Sequence, residues 1–218
     1  MPPRQKFSRA QLQAAALHIV DEQGLSALSM RTLATALGTG PMTIYNYVRD
    51  RDELETLLVE AVMAEARLPR RESADWRTDV RRIIQSMWQA VRAHPEAIPL
   101  ILTRRTRHDT TLELAEALLR ALARGGLRGA ELLSAFRTLN GFVMGLAQQQ
   151  LAAPLSPEAD DPRDGDVARV EALPPDRYAR LQEIAAAAAH VDPERIFRAG
   201  LDIVLDGVAA RLVQRHAR

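Results

Sequence analysis

The segment from Ser29 to Asp52, SMRTLATALGTGPMTIYNYVRDRD, leaves this chain few choices of fold. Leu33, Ala34 and Leu37 recur at helical spacing behind Ser29, a strong N-cap residue, and Gly38 closes that helix. Thr39 and Gly40 make a turn. Pro41 then suits the first position of another helix, where its missing N–H has no intrahelical partner to lose. Ile44 and Val48, one turn apart, give this helix a buried side. It spans two turns at most, yet it also carries Thr43, Tyr45, Asn46 and Tyr47, more polar and aromatic surface than Ile44 and Val48 can cover. Two short helices about a Gly-rich turn, the second with a polar face, form a helix-turn-helix, whose second helix lies in the major groove of DNA.

The flanking sequence supplies the support such a unit needs. Ser8 and Gln11 read as a capping box behind Phe7, and Leu12, Ala15, Ala16, Ile19 and Val20 form one stripe ending at Gly24. Asp50 and Glu53 repeat the capping-box pattern ahead of Leu54, Leu57, Leu58, Ala61 and Val62, a fourth helix expected to reach Leu68 and Pro69. A headpiece over residues 1–68 therefore precedes a larger domain over 69–218. There, Val80, Ile83, Ile84, Met87 and Val91 predict a helix that His94-Pro95 stops, and Ile98 to Leu102 a short one. Leu114, Leu118, Leu119 and Leu122 predict the next, before Gly125-Gly126. Leu132, Leu133, Phe136, Leu139, Val143 and Met144 predict an eighth helix, and both of these are expected to be largely buried. The segment 152–173, rich in prolines and acids, shows no period and is expected to be a flexible loop. Leu181, Ile184 and Ala188 mark a ninth helix. Asp192-Pro193 starts a tenth that carries Ile196, Phe197, Leu201, Val204, Leu205, Val208 and Leu212. With 47% apolar but only 4% aromatic residues, dominated by Ala and Leu, the fold class is all-α with about ten helices.

Several function classes drop out. The chain has no cysteine, and its five histidines, His18, His94, His108, His190 and His216, include no pair at metal-ligand helical spacing. No nucleophile elbow, phosphate loop or dinucleotide fingerprint is present. The expectation is a protein without catalytic residues, metal or cofactor. No apolar run approaches the roughly 20 residues that cross a bilayer, so a cytoplasmic protein with no membrane partner is expected. Net charge is only +1, but it is uneven. Through Arg51, the cations Arg4, Lys6, Arg9, Arg31, Arg49 and Arg51 face only Asp21, Glu22 and Asp50, whereas 159–171 is acidic. The N-terminal end is the phosphate-facing one.

On that end, Asn46 can pair bidentately with adenine, Thr43 offers a hydroxyl and a methyl, and the tyrosine hydroxyls can reach phosphate oxygens. Arg31, on the preceding helix, can grip guanine or phosphate. The alternative is that one tyrosine packs against the first helix and the rest is ordinary surface. The order LSMRTLATALG, a short turn, then MTIYNYVRDRDEL strongly resembles the headpiece of the tetracycline-repressor (TetR) family of bacterial regulators. WRTDVRRIIQSMWQAVRAHPEAIPL, LNGFVMGLA and RIFRAGLDIVLDGVAARL likewise resemble the effector and dimer domain of the tetracycline-repressor branch. The resemblance implies a homodimeric, ligand-responsive repressor on a palindromic double-stranded DNA operator. It places DNA contacts at Ser29, Met30, Arg31, Gly40, Pro41, Met42, Thr43, Tyr45, Asn46, Tyr47 and Arg51. It also implies a magnesium-tetracycline site, from which this chain departs: the aligned positions fall near Ile101 and Gln148 to Gln150, which lack the expected histidine and acid.

An unknown small apolar or amphipathic effector is expected instead, lined by Met87, Trp88, Val91, Ile101, Leu118, Phe136, Asn140, Met144 and Gln148. Each apolar member is equally explained as core, but Asn140 and Gln148 sit two turns apart on an apolar helix, where buried amides need partners. Gly141 and Gly145 share a face of the eighth helix, as Gly200 and Gly207 do on the tenth. Each glycine costs a helix interior up to about 1 kcal/mol against Ala, a cost that close helix approach explains. With Leu201, Val204 and Val208 they are the expected dimer interface, a four-helix bundle by resemblance. Two rivals remain: a small-molecule carrier or enzyme with a vestigial headpiece, and a regulator with no small-molecule effector.

Overall fold

The computed structural model describes residues 6–104, 109–152, 170, 172–188 and 191–216. Among these it is helical without a strand: α1 Arg9–Gln23, α2 Met30–Ala36, α3 Pro41–Ile44, α4 Arg51–Glu65, α5 Trp76–Ala93, α6 Ile98–Thr103, α7 Asp109–Arg124, α8 Gly129–Ala152, α9 Pro175–Ala188 and α10 Pro193–His216. Single 3-10 turns at Leu25–Ala27 and Pro95–Ala97 follow α1 and α5. Almost the whole of the expected 152–173 loop lies outside the described residues.

Local sequence sets the helix boundaries. Ser8 accepts from the Gln11 N–H while the Gln11 side chain accepts from the Ser8 N–H, the reciprocal box expected. Ser29 and Thr32 form a second one at α2. At α4 the pattern is only half realised. Asp50 accepts from the Glu53 N–H at 2.8 Å, but the Glu53 carboxylate turns back one residue further, to the Arg49 N–H at 2.8 Å. This helix ends at Glu65, short of the expected Leu68, and Ala66 caps it. Gly24 and Gly38 close α1 and α2 with φ of +80° and +61°, where a Cβ would be strained. Gly125 has a different reason: a Cβ there would stand 2.7 Å from the Trp76 ring.

By their contacts the residues form two compact units, Met1–Ala147 and Gln148–Arg218. In the first, α4 is the central strut. It packs on α1 on one side and on α5, α6 and α7 elsewhere. Leu54, Leu57, Leu58, Val59, Ala61, Val62 and Met63 are consequently all buried, two more apolar residues than the five the sequence singled out. Three polar links fix the strut. Arg9 donates to the buried Glu60 carboxylate, with Nε at 3.1 Å. Arg104, which caps α6, donates to Asp52 Oδ1 at 2.6 Å and to Glu55. His94, buried at the end of α5, puts Nδ1 2.9 Å from Asp21 of α1 and Nε2 3.1 Å from Glu65 of α4.

In the second unit, α9 departs from helical geometry at Tyr178, and α10 buries Phe197, Leu201, Leu205 and Leu212 along one stripe. Its opposite face is apolar but exposed: Ile196, Ile203 and Val213 stand out beside Ala199, Gly207 and Ala210. Helix α8, most of which belongs to the first unit, is likewise divided, with Ala135, Leu139, Val143 and Ala147 buried and Thr138, Gly141, Gly145 and Gln148 exposed. The expectation that α8 is largely buried is therefore corrected: Leu133 is 48% exposed, and the helix buries one stripe only.

Candidate nucleic-acid interface

Helix α3 is one turn that tightens at its end. The Asn46 N–H bonds to Thr43 O at 3.2 Å and the Val48 N–H to Ile44 O at 3.0 Å, so the helical path reaches Val48 although the regular part stops at Ile44. Ile44 and Val48 are buried as expected, and α3 packs on α2, where Leu33 and Ala34 are buried. This anchoring leaves Met42 77% and Tyr45 48% exposed, with Pro41, Gly40 and Asn46 also at the surface. An apolar side chain as open as Met42 on a helix so well anchored marks a face that is not part of this chain's core.

The other residues named from sequence are less free. Arg31 is exposed on α2, while Met30 and Thr43 are half-buried. Ser29 is occupied as an N-cap, accepting from the Thr32 N–H at 3.1 Å. Arg51 is exposed, but its Nε donates to Glu55 at 2.6 Å, the carboxylate that also receives Arg104. Tyr47 is half-buried, and its hydroxyl accepts from the Phe7 N–H at 3.0 Å, the two rings meeting edge to face at 6.2 Å. One tyrosine is thus turned toward the N-terminal segment and the other outward. Arg49, counted from sequence among the cations of this end but not among the DNA contacts, is exposed and pairs with Glu53.

Of the expected effector-lining residues, Met87, Trp88 and Val91 of α5 and Leu118 of α7 are buried. Ile101, Phe136, Asn140 and Met144 are half-buried and Gln148 is exposed. Asn140 and Gln148 are not two orphaned buried amides. Asn140 Nδ2 donates to Phe136 O one turn back, at 2.8 Å, and Gln148 lies on the open glycine face. A separate cleft of about 560 Å³ opens along α7, lined by Leu68, Asp109, Leu112, Glu113, Glu116 and Arg120, none of them expected from sequence. The positions aligned with a magnesium site do not fit that ion: Ile101 brings carbon only, and Gln148 is a surface amide.

On the expected dimer face, a Cβ at Gly141, Gly145 or Gly207 would meet nothing within 4 Å. Nothing among the described residues demands a glycine there. Val204 and Val208 are half-buried beside Gly207, but Leu201 is only 1% exposed and belongs to the buried stripe, so it cannot offer the face expected of it. Ile203, 73% exposed, is the apolar residue that this helix presents at the surface instead. The signal was present in the sequence as helical phase: Ile203, Gly207 and Ala210 repeat at four and three residues, opposite Leu201 and Leu205.

No helix among the described residues is long and apolar enough to cross a membrane, and no three His, Cys, Asp or Glu side chains there are grouped to hold a metal. Comparison with known proteins then extends the resemblance to most of the chain. The family model described as tetracyclin repressor-like, C-terminal domain, matches residues 68–212. The HTH-type transcriptional repressor DrrR1 of Streptomyces coeruleorubidus is 27% identical over 225 residues, which cover 98% of this chain and 82% of that one. Tetracycline repressor protein class A from transposon 1721 of Escherichia coli is 28% identical, over 93% and 91% of the two chains. Among solved structures, the Streptomyces coelicolor TetR family protein ActR in complex with actinorhodin superposes with a TM-score of 0.79 at 27% identity, covering 96% and 97%.

Proposed function

The chain belongs to the tetracycline-repressor family, and from that premise we propose that it is a homodimeric, ligand-responsive transcriptional repressor whose α3 reads a palindromic operator. Relatives spanning nearly all of it are named repressors, and a structural neighbour is named in complex with a small molecule. The observation that carries the reading is the face built on buried Ile44 and Val48: Met42, Tyr45 and Asn46 exposed on one short, well-anchored helix, with exposed Arg31 on the helix packed against it. In this role Asn46 and Arg31 contact base edges, and Arg49 and Arg51 contact phosphates. Residues 1–68 act as the DNA-binding domain and 69–218 as the effector and dimer domain of a cytoplasmic regulator that carries out no catalysis. The exposed faces Gly141–Gly145 and Ile203–Gly207 meet their two-fold copies.

Helix α4 transmits the signal, because it is packed on α1 in the headpiece and on α5, α6 and α7 beyond it. An effector that binds better to the spacing unable to grip DNA must weaken DNA binding by the factor by which DNA weakens effector binding. Actinorhodin, named with the ActR neighbour, is the first probe. The purified protein, presented with random duplexes at near-physiological salt, is expected to enrich an inverted repeat that the effector then releases. A folded dimer that enriches no sequence would move the weight to a carrier or enzyme with a vestigial headpiece.

A further inference from the structure

Tyr47 ends the turn that displays Tyr45 and Asn46, yet it faces the other way. Its hydroxyl accepts from the Phe7 N–H at 3.0 Å, and the Phe7 ring meets its own ring edge to face. Ser8, the next residue, is the extended N-cap of α1, so the chain before it leaves the helix at a fixed angle. Phe7 is therefore held at both of its ends, by the α1 cap and by Tyr47. Lys6 is exposed beside this anchor, its Nζ 5.2 Å from the centre of the Phe7 ring. The charge is one-sided: no acid precedes Asp21. Arg9, the next cation, is also exposed but is engaged with the buried Glu60, whereas Lys6, among the described residues, stands over the Phe7 ring at the anchor.

We propose that Tyr47 is a positioning residue that holds Lys6 against operator phosphates beside α3, so that the anchored segment at residues 6–7 is a second DNA-contact surface. This rests on the DNA-binding reading above. It gives Tyr47 a role different from its neighbour Tyr45: its oxygen accepts the Phe7 N–H, and its effect on DNA passes through that bond. The surface suits a phosphate diester because it offers a point charge without a base-reading fork, and such a contact adds affinity without sequence preference.

A double-mutant cycle on the full-length protein tests this, read as affinity for the selected operator and for a scrambled duplex across salt. Each phosphate contact adds about 0.9 to the slope of log affinity against log salt. Lys6→Ala removes one contact per protomer, so the dimer's slope flattens by about 1.8, and both duplexes are weakened alike. Tyr47→Phe keeps the ring and loses the acceptor, and it is expected to reproduce much of that change. In the Lys6→Ala background, Tyr47→Phe has little further effect, because the contact it positions is already gone. Equal losses from Tyr47→Phe in both backgrounds would make Tyr47 a direct DNA contact and overturn the tether. An unchanged slope in Lys6→Ala would overturn the surface itself. Either result leaves the function reading standing, whereas a wild-type dimer that binds neither duplex contradicts that reading instead.

Discussion

His94 should make the stability of this protein fall as pH rises through neutrality. Both ring nitrogens face acceptors: Nδ1 lies 2.9 Å and 3.0 Å from the two Asp21 oxygens, and Nε2 lies 3.1 Å from Glu65. Nδ1 hydrogen-bonds to Asp21, whereas Nε2 meets Glu65 as an ion pair without hydrogen-bond geometry, and only the protonated ring, charged and carrying an N–H on each nitrogen, is attracted to both carboxylates. Burial alone would push its pKa down, but the contacts with Asp21 and Glu65 and their charges outweigh that and hold it above the ordinary value. With the folded-state pKa raised, the bridge is present in full below the unfolded pKa of about 6.5 and is lost as pH climbs through the folded value. Hydrogen bonds to charged groups contribute roughly 1.5 to 3 kcal/mol each when buried. Here there is one such bond, to Asp21, and one ion pair, to Glu65; their carboxylate side chains are 33% and 48% exposed, so screening holds the two together to about 2 kcal/mol. His94→Gln, neutral at every pH, is expected to lower Tm by roughly 4 to 8 °C at pH 5.5, at fixed protein concentration, and by progressively less toward pH 8.5. Thermal melts of both proteins across that range measure it. A difference that stays constant, or widens with pH, would refute the doubly charged bridge.

Three other predictions come from separate parts of the molecule. Reversing the charge at Arg51 should weaken all duplexes alike and flatten the salt dependence by about one phosphate per protomer; an unaltered slope removes Arg51 from the interface. Gly207→Leu meets open space within the chain, so it should leave the helical signal intact while shifting the dimer toward monomer in sedimentation; an unchanged dimer moves the interface elsewhere. Gly125→Ala drives a Cβ to 2.7 Å from the Trp76 ring and should cost roughly 1 to 3 kcal/mol in urea unfolding, whereas a neutral result would mean that Trp76 moves aside freely.

What could be read from the sequence was what depends on neighbours a few residues away. The Ser8–Gln11 box, the Gly24 stop and the Ile44–Val48 anchor all lie within one or two turns of the residues that cause them. What escaped depends on partners far along the chain. The histidines are scattered along the sequence without metal-ligand spacing, and the carboxylates that bracket His94 come from Asp21 and Glu65, on two other helices. The sequence left open whether one tyrosine was packed away. The choice of Tyr47 over Tyr45 rests on Phe7, forty residues before it. On α10 the one expected face residue that the structure encloses is Leu201, because Leu201 and Ile203 are equally apolar and only burial distinguishes them. The α7 cleft leaves no mark in the sequence because its Asp, Glu and Arg residues have the composition of any solvated helix face.

The central claim, that α3 reads base edges through Asn46, is tested most directly by parallel selections from one random duplex library with the wild type and with Asn46→Ala. The account predicts that the wild type enriches an inverted repeat and that the variant, still a folded dimer, loses preference at one position in each half-site, a discrimination of roughly 1 to 3 kcal/mol. Identical enriched sequences from the two proteins would contradict it and remove Asn46 from the recognition surface.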